Sequence, residues 1–382
     1  MLKKILLGVF CFIFYLSCTE PVEPEFELKE GVITVDAIVA TAEGGSFVTI
    51  KESVIELGRD QYINIFMRGA EVSFINTNTG ELVNLIEYEN IYIPPFDFVA
   101  SVNDTWELDI KLQDGRHYKS LAETILEPVE ISYLEANYAP KYAYNAALND
   151  YVPGHSISVS FNDPAEKNNY YYWNFRSFEK RDFCKLCYGF YRNGICEPFD
   201  LEPEITPNPE YYTYDCESDC WGIRYNENIK IFEDEFTNGS SINSLPIADV
   251  LLYTKADILV EVQQFSLSKA AYSYYKVLKD LVDNNSGFNA PPPAALIGNM
   301  FNPDNSEEYV LGRFTAAATS IQTIFIERSG IAEPAISSIE IIPEGSVVYP
   351  RPSLPPGGPV LYAPCEEGRY VTSNRPENWP IN

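Results

Sequence analysis

The chain has 382 residues, enough for two domains with cores of their own, and carries 55 Asp+Glu against 27 Lys+Arg for a formal net charge of -28. A surface of that sign repels phosphate backbones, which excludes nucleic acid as a partner. The 27 Tyr and 22 Phe suit a strand-rich protein, where rings pack in sheets and hydroxyls meet water.

At the N-terminus, Lys3 and Lys4 precede an uncharged run from Ile5 to Leu16. Such a run has signal-peptide length and falls short of the roughly 20 apolar residues a membrane-spanning helix needs. Leu16-Ser17-Cys18 then gives an apolar and a small residue before a cysteine, the pattern cut by lipoprotein signal peptidase. Residues 1–17 are therefore expected to be a secretion signal, with Cys18 as the acylated first residue of the mature chain. The leader takes two lysines and no acid with it, so the mature balance becomes 25 to 55, or -30. Residues 18–30, rich in Pro and Glu without apolar periodicity, read as an extended tether. The expected attachment is to a membrane through lipid, held by two or more acyl chains.

From 31 to 130 the sequence alternates like short strands between turns. Val32 to Val39 is β-branched and alternating, and Gly44-Gly45 turns the chain into Phe47–Ile50. Asn76 to Gly80 joins Val72–Ile75 to Leu82–Ile86. Asp114-Gly115 sits between Trp106–Ile110 and His117–Ser120, a dipeptide suited to left-handed turn positions. Short strands at this spacing predict an Ig-like β-sandwich. Residues 131–382 read as a larger β-rich domain, with strands at Ser156–Phe161, Tyr170–Phe175 and Ile258–Val262. Its one prominent amphipathic helix is expected at about 267–283. There Leu267, Ala270, Ala271, Tyr274, Leu278 and Leu281 share a face and Ser266 is placed as N-cap. The fold class is mainly β.

After the signal and the lipid each take one cysteine, six remain: Cys184, Cys187, Cys196, Cys216, Cys220 and Cys365. An even number in an exported chain reads as disulfides, and five of them order a loop-like insertion at 184–220. The alternative is a four-thiolate zinc site from Cys184, Cys187, Cys216 and Cys220, against which the oxidising compartment counts. There are only two histidines, His117 and His155, and neither stands in a catalytic or metal-binding pattern; no phosphate loop or nucleophile elbow occurs. No cofactor is expected. Carboxylate pairs are too abundant at this acidity to single out a glycosidase dyad. Trp221, Trp173 and Tyr172 are the candidate aromatic anchors for a binding surface; Trp221, in the irregular stretch, is expected to be exposed, while Tyr172 and Trp173 are expected rather in the core.

In chain order, a lipobox, the strand Ile33–Ala37, the Trp106…Asp114-Gly115-Arg116-x-Tyr118 hairpin and Asp163-Pro164…Tyr170-Tyr171-Tyr172-Trp173 are followed by the Tyr-rich helix. Then come Gly298-Asn299-Met300…Val310-Leu311-Gly312-Arg313-Phe314, Cys365 and Arg375-Pro376-Glu377-Asn378-Trp379-Pro380. This order resembles the Bacteroidota lipoprotein family catalogued as domain of unknown function 4249, over nearly the whole mature chain. A second late cysteine, frequent in that family, is missing here. The acidic residues after Cys18 also resemble the surface-export signal of Bacteroidota lipoproteins. The resemblance implies an outer-membrane, surface-exposed accessory subunit of a TonB-dependent transporter and supplies no catalytic residues. A free-standing adhesin or glycan-binding module and a hydrolase without a sequence signature are the competing expectations.

Overall fold

Alternating β-branched and aromatic residues build strands throughout the residues that the computed structural model describes. These are 31–56, 61–95, 97–165, 168–180, 189–192, 195–198, 214–215, 219–226, 228–283, 296–336, 361–362, 365, 368 and 370–380. The first part holds β1 (Ile33–Ala40), β2 (Phe47–Glu56), β3 (Gln61–Phe66), β4 (Glu71–Asn76), β5 (Leu82–Asn84) and β6 (Ile86–Tyr88). It continues with β7 (Ile91–Ile93), β8 (Thr105–Lys111), β9 (His117–Ser120) and β10 (Glu123–Thr124). The middle holds β11 (Ile131–Asn145), β12 (Asp150–Asn162), β13 (Tyr170–Lys180), β14 (Gly189–Arg192), β15 (Ile195–Pro198), β16 (Tyr214–Asp215) and β17 (Trp221–Tyr225). Next come β18 (Lys230–Glu233), β19 (Ser241–Leu251), β20 (Ile258–Ser266) and the helix α1 (Lys269–Asp283). The chain closes with β21 (Met300–Phe301), β22 (Leu311–Ile326), β23 (Leu361–Tyr362) and β24 (Val371–Thr372). The fold is mainly β.

An eleven-stranded sheet runs in the order β24-β17-β13-β20-β22-β1-β2-β7-β6, with β18 beside β13 and β3 beside β2. A six-stranded sheet, β21-β9-β8-β4-β5 with β10, faces one half of it. Val35, Val48, Ile50, Val72, Phe74, Trp106, Leu108, Tyr118 and Phe314 meet in the core between them. This is a sandwich, consistent with the Ig-like one expected. The three-stranded sheet β11-β12-β19 faces the other half, burying Ile157, Val159, Phe161, Trp173, Val260 and Val262 in a second core.

β22 joins the two. Its first half pairs with β1 in parallel, Thr34 opposite Leu311 through Ala40 opposite Ala317. Its second half pairs with β20 antiparallel, Ala318 opposite Ser266 through Ile326 opposite Ile258. Period-2 alternation then divides its side chains. Phe314, Ala316 and Ala318 enter the first core, and Ala317 faces α1, whose Tyr275 hydroxyl meets the Thr315 hydroxyl at 3.1 Å. Alanines on this strand leave room for the helix's large rings.

Two expectations are revised. The division at residue 130 is crossed by the C-terminal chain: Met300, Val310 and Phe314 lie in the first core, and β21 pairs with β9. The first sandwich has too few strands of its own to close, and the late ones complete it. The helix cap is Ser268, whose Oγ accepts from the Ala271 N–H at 3.1 Å, while Ser266 still belongs to β20. The helix accordingly buries Ala271, Tyr272, Tyr274 and Tyr275, and Ala270 is exposed.

Candidate functional site

Of the cysteines, Cys220 and Cys365 form a disulfide across 145 residues. Cys18, Cys184, Cys187 and Cys216 lie outside the described residues, as do the expected signal and tether. Cys196 falls on β15, of which only the backbone is described. The zinc alternative loses a ligand, because Cys220 is consumed by its bond to Cys365. Among the described residues no three His, Cys, Asp or Glu side chains converge as a metal ion would require, and no helix is long and apolar enough to cross a membrane.

The three aromatic candidates are all packed. Trp221 is 2% exposed, contrary to the expectation drawn from its irregular surroundings. The reason is the C-terminus: Trp379 stands edge-on to both Trp221 and Phe325, and β24 pairs with β17. Trp173 sits in the second core and donates its indole N–H to Gln264 Oε1 at 2.9 Å. Tyr172 stacks on Tyr275 of the helix, centroids 4.9 Å apart and 7° from parallel. None of the three offers a surface anchor.

The exposed aromatics lie elsewhere. β11 and β12 pair beyond the point where β19 ends its own pairing with β12 at Gly154, so the hairpin projects as a two-stranded arm. On the arm Tyr144 faces Tyr151 across the strands, 56% and 55% exposed, with ring centroids 5.5 Å apart and nearly perpendicular. Leu148, also exposed, stands in the connecting turn. That turn is fixed from within. Asn145 Oδ1 accepts from the N–H groups of Ala147 (3.0 Å) and Leu148 (3.1 Å), and the Tyr144 hydroxyl donates to Asn149 Oδ1 at 2.6 Å. At the base, Tyr142 donates to the Asp249 carboxylate of β19, and burial, helped by that bond, pushes its hydroxyl pKa up to about 12. Two-stranded ribbons alone are marginal in water, and these bonds are what hold this one in shape. The result is a stiff tip with an amphipathic aromatic pair on it, the kind of surface that anchors protein contacts at low entropic cost. Asn145…Asn149 between aromatic alternation was the sequence signal for it, and the expected sites passed over it.

The two histidines do different things. His117 Nε2 is 2.9 Å from Asp109 Oδ2, and Lys119 approaches the same carboxylate at 3.4 Å, beside an open pocket of about 470 Å³ lined by Glu71, Lys111, Gln113 and Asp304. His155 is buried, its pKa pushed down to about 4 by that burial and by the charge of Arg328.

A buried polar centre joins the first sandwich to the helix. Arg313 donates to Glu123, whose other oxygen accepts from the capping Ser268 hydroxyl at 3.1 Å. Burial raises the Glu123 pKa, opposed by Arg313 and by bonds from Ser268 and Asn299. Asn299 also presents its side-chain amide to Phe314, donating to its carbonyl and accepting from its N–H, both at 2.9 Å. The Glu123 carboxylate and the Asn299 amide are met from within, while Arg313 Nε has no partner among the described residues, and the centre reads as an internal lock.

A family model described as Domain of unknown function (DUF4249) matches residues 19–323. No curated protein matches the chain.

Proposed function

The chain belongs to the DUF4249 family, and from that premise we propose that it is a lipid-anchored outer-membrane protein, acylated at Cys18, that serves as a binding or accessory subunit of a TonB-dependent transporter at the cell surface. The observation that carries the binding part is the projecting β11–β12 arm with Tyr144, Leu148 and Tyr151 exposed on a braced turn. Apolar side chains held rigidly in water have a cost in the free protein that a partner removes. The Cys220–Cys365 disulfide supports an exported location, since such bonds persist in oxidising compartments.

The experiment is recovery of the tagged, acylated protein from native outer membranes in mild detergent, with mass spectrometry of what accompanies it. A barrel transporter is expected at about one copy per lipoprotein. The triple variant Tyr144→Ser, Leu148→Ser, Tyr151→Ser is expected to lose it while unfolding at an unchanged temperature. Recovery of the lipoprotein alone, at low and high salt, overturns the reading, and retention on polysaccharide by that lone protein would establish the glycan-binding alternative instead.

A further inference from the structure

Arg328 follows the last residues of β22 and is 2% exposed. Its backbone N–H donates to Asp257 Oδ1 at 2.7 Å, and its Nη1 reaches the Thr254 carbonyl at 3.5 Å. Among the described residues, Nε and Nη2 have no partner. These two nitrogens form the straight edge of the guanidinium, the edge that grips a carboxylate with two parallel bonds. The same chain shows that edge in use. In the large sheet, Arg176 donates from Nε to Glu261 Oε1 at 2.8 Å and from Nη2 to Glu261 Oε2 at 3.0 Å. No described residue meets the same fork of Arg328.

Its neighbours are also short of acceptors. Among the described residues the Thr254 hydroxyl has no partner, and neither has His155 Nδ1, on a ring packed at 5.1 Å against Tyr138. Arg224 lies nearby, its guanidinium 4.3 Å above the Tyr253 ring. Glu179 and Asp257 act on the Arg328 charge through space, yet neither reaches Nε or Nη2. Burial is the largest influence and holds the Arg328 pKa down to about 10. A buried cation with two unmet donors is costly unless an anion meets it.

We propose that the Nε–Nη2 edge of Arg328, together with the unpartnered hydroxyl of Thr254, the residue whose carbonyl Nη1 reaches, binds a small free carboxylate. A planar monoanion matches the fork as Glu261 matches Arg176. A phosphate dianion matches it less well, because stripping two charges of water costs more and the net charge of the chain repels polyanions. The site is separate from the Tyr144–Tyr151 arm and does not depend on its role.

The test uses the whole mature protein with acetate and formate as probes, at constant ionic strength with chloride as the reference. Ligand-observed NMR titration is expected to saturate. Arg328→Lys keeps the charge and loses the fork, so it should weaken binding about tenfold, and Thr254→Val about threefold. A contact between the ¹³C-acetate methyl group and the Thr254 methyl group, read by isotope-edited NMR on the unaltered protein, places the ligand even where Arg328→Lys fails to fold. Absence of saturation overturns the proposal, which is also the result if a carboxylate of the chain itself fills the fork. So does saturation without the Thr254 contact, or equal binding by Arg328→Lys.

Discussion

Gly298 and Gly312 meet backbone to backbone: a Cβ on Gly298 would lie 1.6 Å from the Gly312 carbonyl oxygen, and one on Gly312 would lie 1.8 Å from that of Val35. Three passes of chain stack here with no space for a methyl group, and Gly312 also holds φ at +102°. Gly312→Ala is expected to cost about 3 kcal/mol or more, strain and collision together. Gly80→Ala, left-handed but open to solvent, should cost only about 1 kcal/mol. Denaturant midpoints of the two variants measure the difference.

The pairing of Glu123 with Arg313 makes a second prediction. Removing one member leaves a buried charge uncompensated, so Glu123→Gln should destabilise by about 3–5 kcal/mol. The double change Glu123→Leu, Arg313→Met should cost less than the single one, because it leaves no stranded charge. A double-mutant cycle in urea reads the coupling directly.

His155 predicts a pH effect. Its folded pKa, about 4, lies below the unfolded value near 6.5, so between those values the unfolded chain binds the extra proton. Stability from this group is present above pH 6.5 and is lost as the pH falls through about 4. On that count the unaltered protein should lose about 3 kcal/mol more than His155→Leu across this window. The comparison is of unfolding free energies in carboxylate-free buffer, which keeps the fork of Arg328 empty.

Reduction of Cys220–Cys365 releases the C-terminal segment from the sheet. A crosslink spanning 145 residues contributes up to about 5 kcal/mol by restricting the unfolded chain. The expected result on adding reductant is a lower unfolding temperature and a red-shifted tryptophan emission, as Trp379 leaves Trp221. An unshifted spectrum would show that the segment stays docked without the bond.

What the sequence revealed follows from the range of the interactions. The Asp114-Gly115 hairpin and the Asn76–Gly80 turn are set by neighbouring residues, and both occur where their turn chemistry places them. The helix was legible from its period, but its start was misjudged by two residues because Ser266 and Ser268 are equally good caps in isolation. Trp221 was misjudged because its cover, Trp379, comes from the far end of the chain. The parallel pairing of β1 with β22 and the bond between Glu123 and Arg313 were illegible for the same reason. The Gly-Asn and Leu-Gly blocks could be recognised as family marks, but only the close packing of Gly298 on Gly312 and the Asn299 bonds to Phe314 explain them.

The long reach of β22 has a consequence in time. In a chain exported N-terminus first, β1 to β10 emerge first, and 190 residues separate Glu123 from its partner Arg313. Throughout that interval Val35, Phe74 and Leu108 line a half-built core whose closing strand does not yet exist. Domains that form from one continuous stretch can fold as they emerge. This one must wait, because the first core lacks Phe314, Ala316 and Ala318 until β22 has emerged.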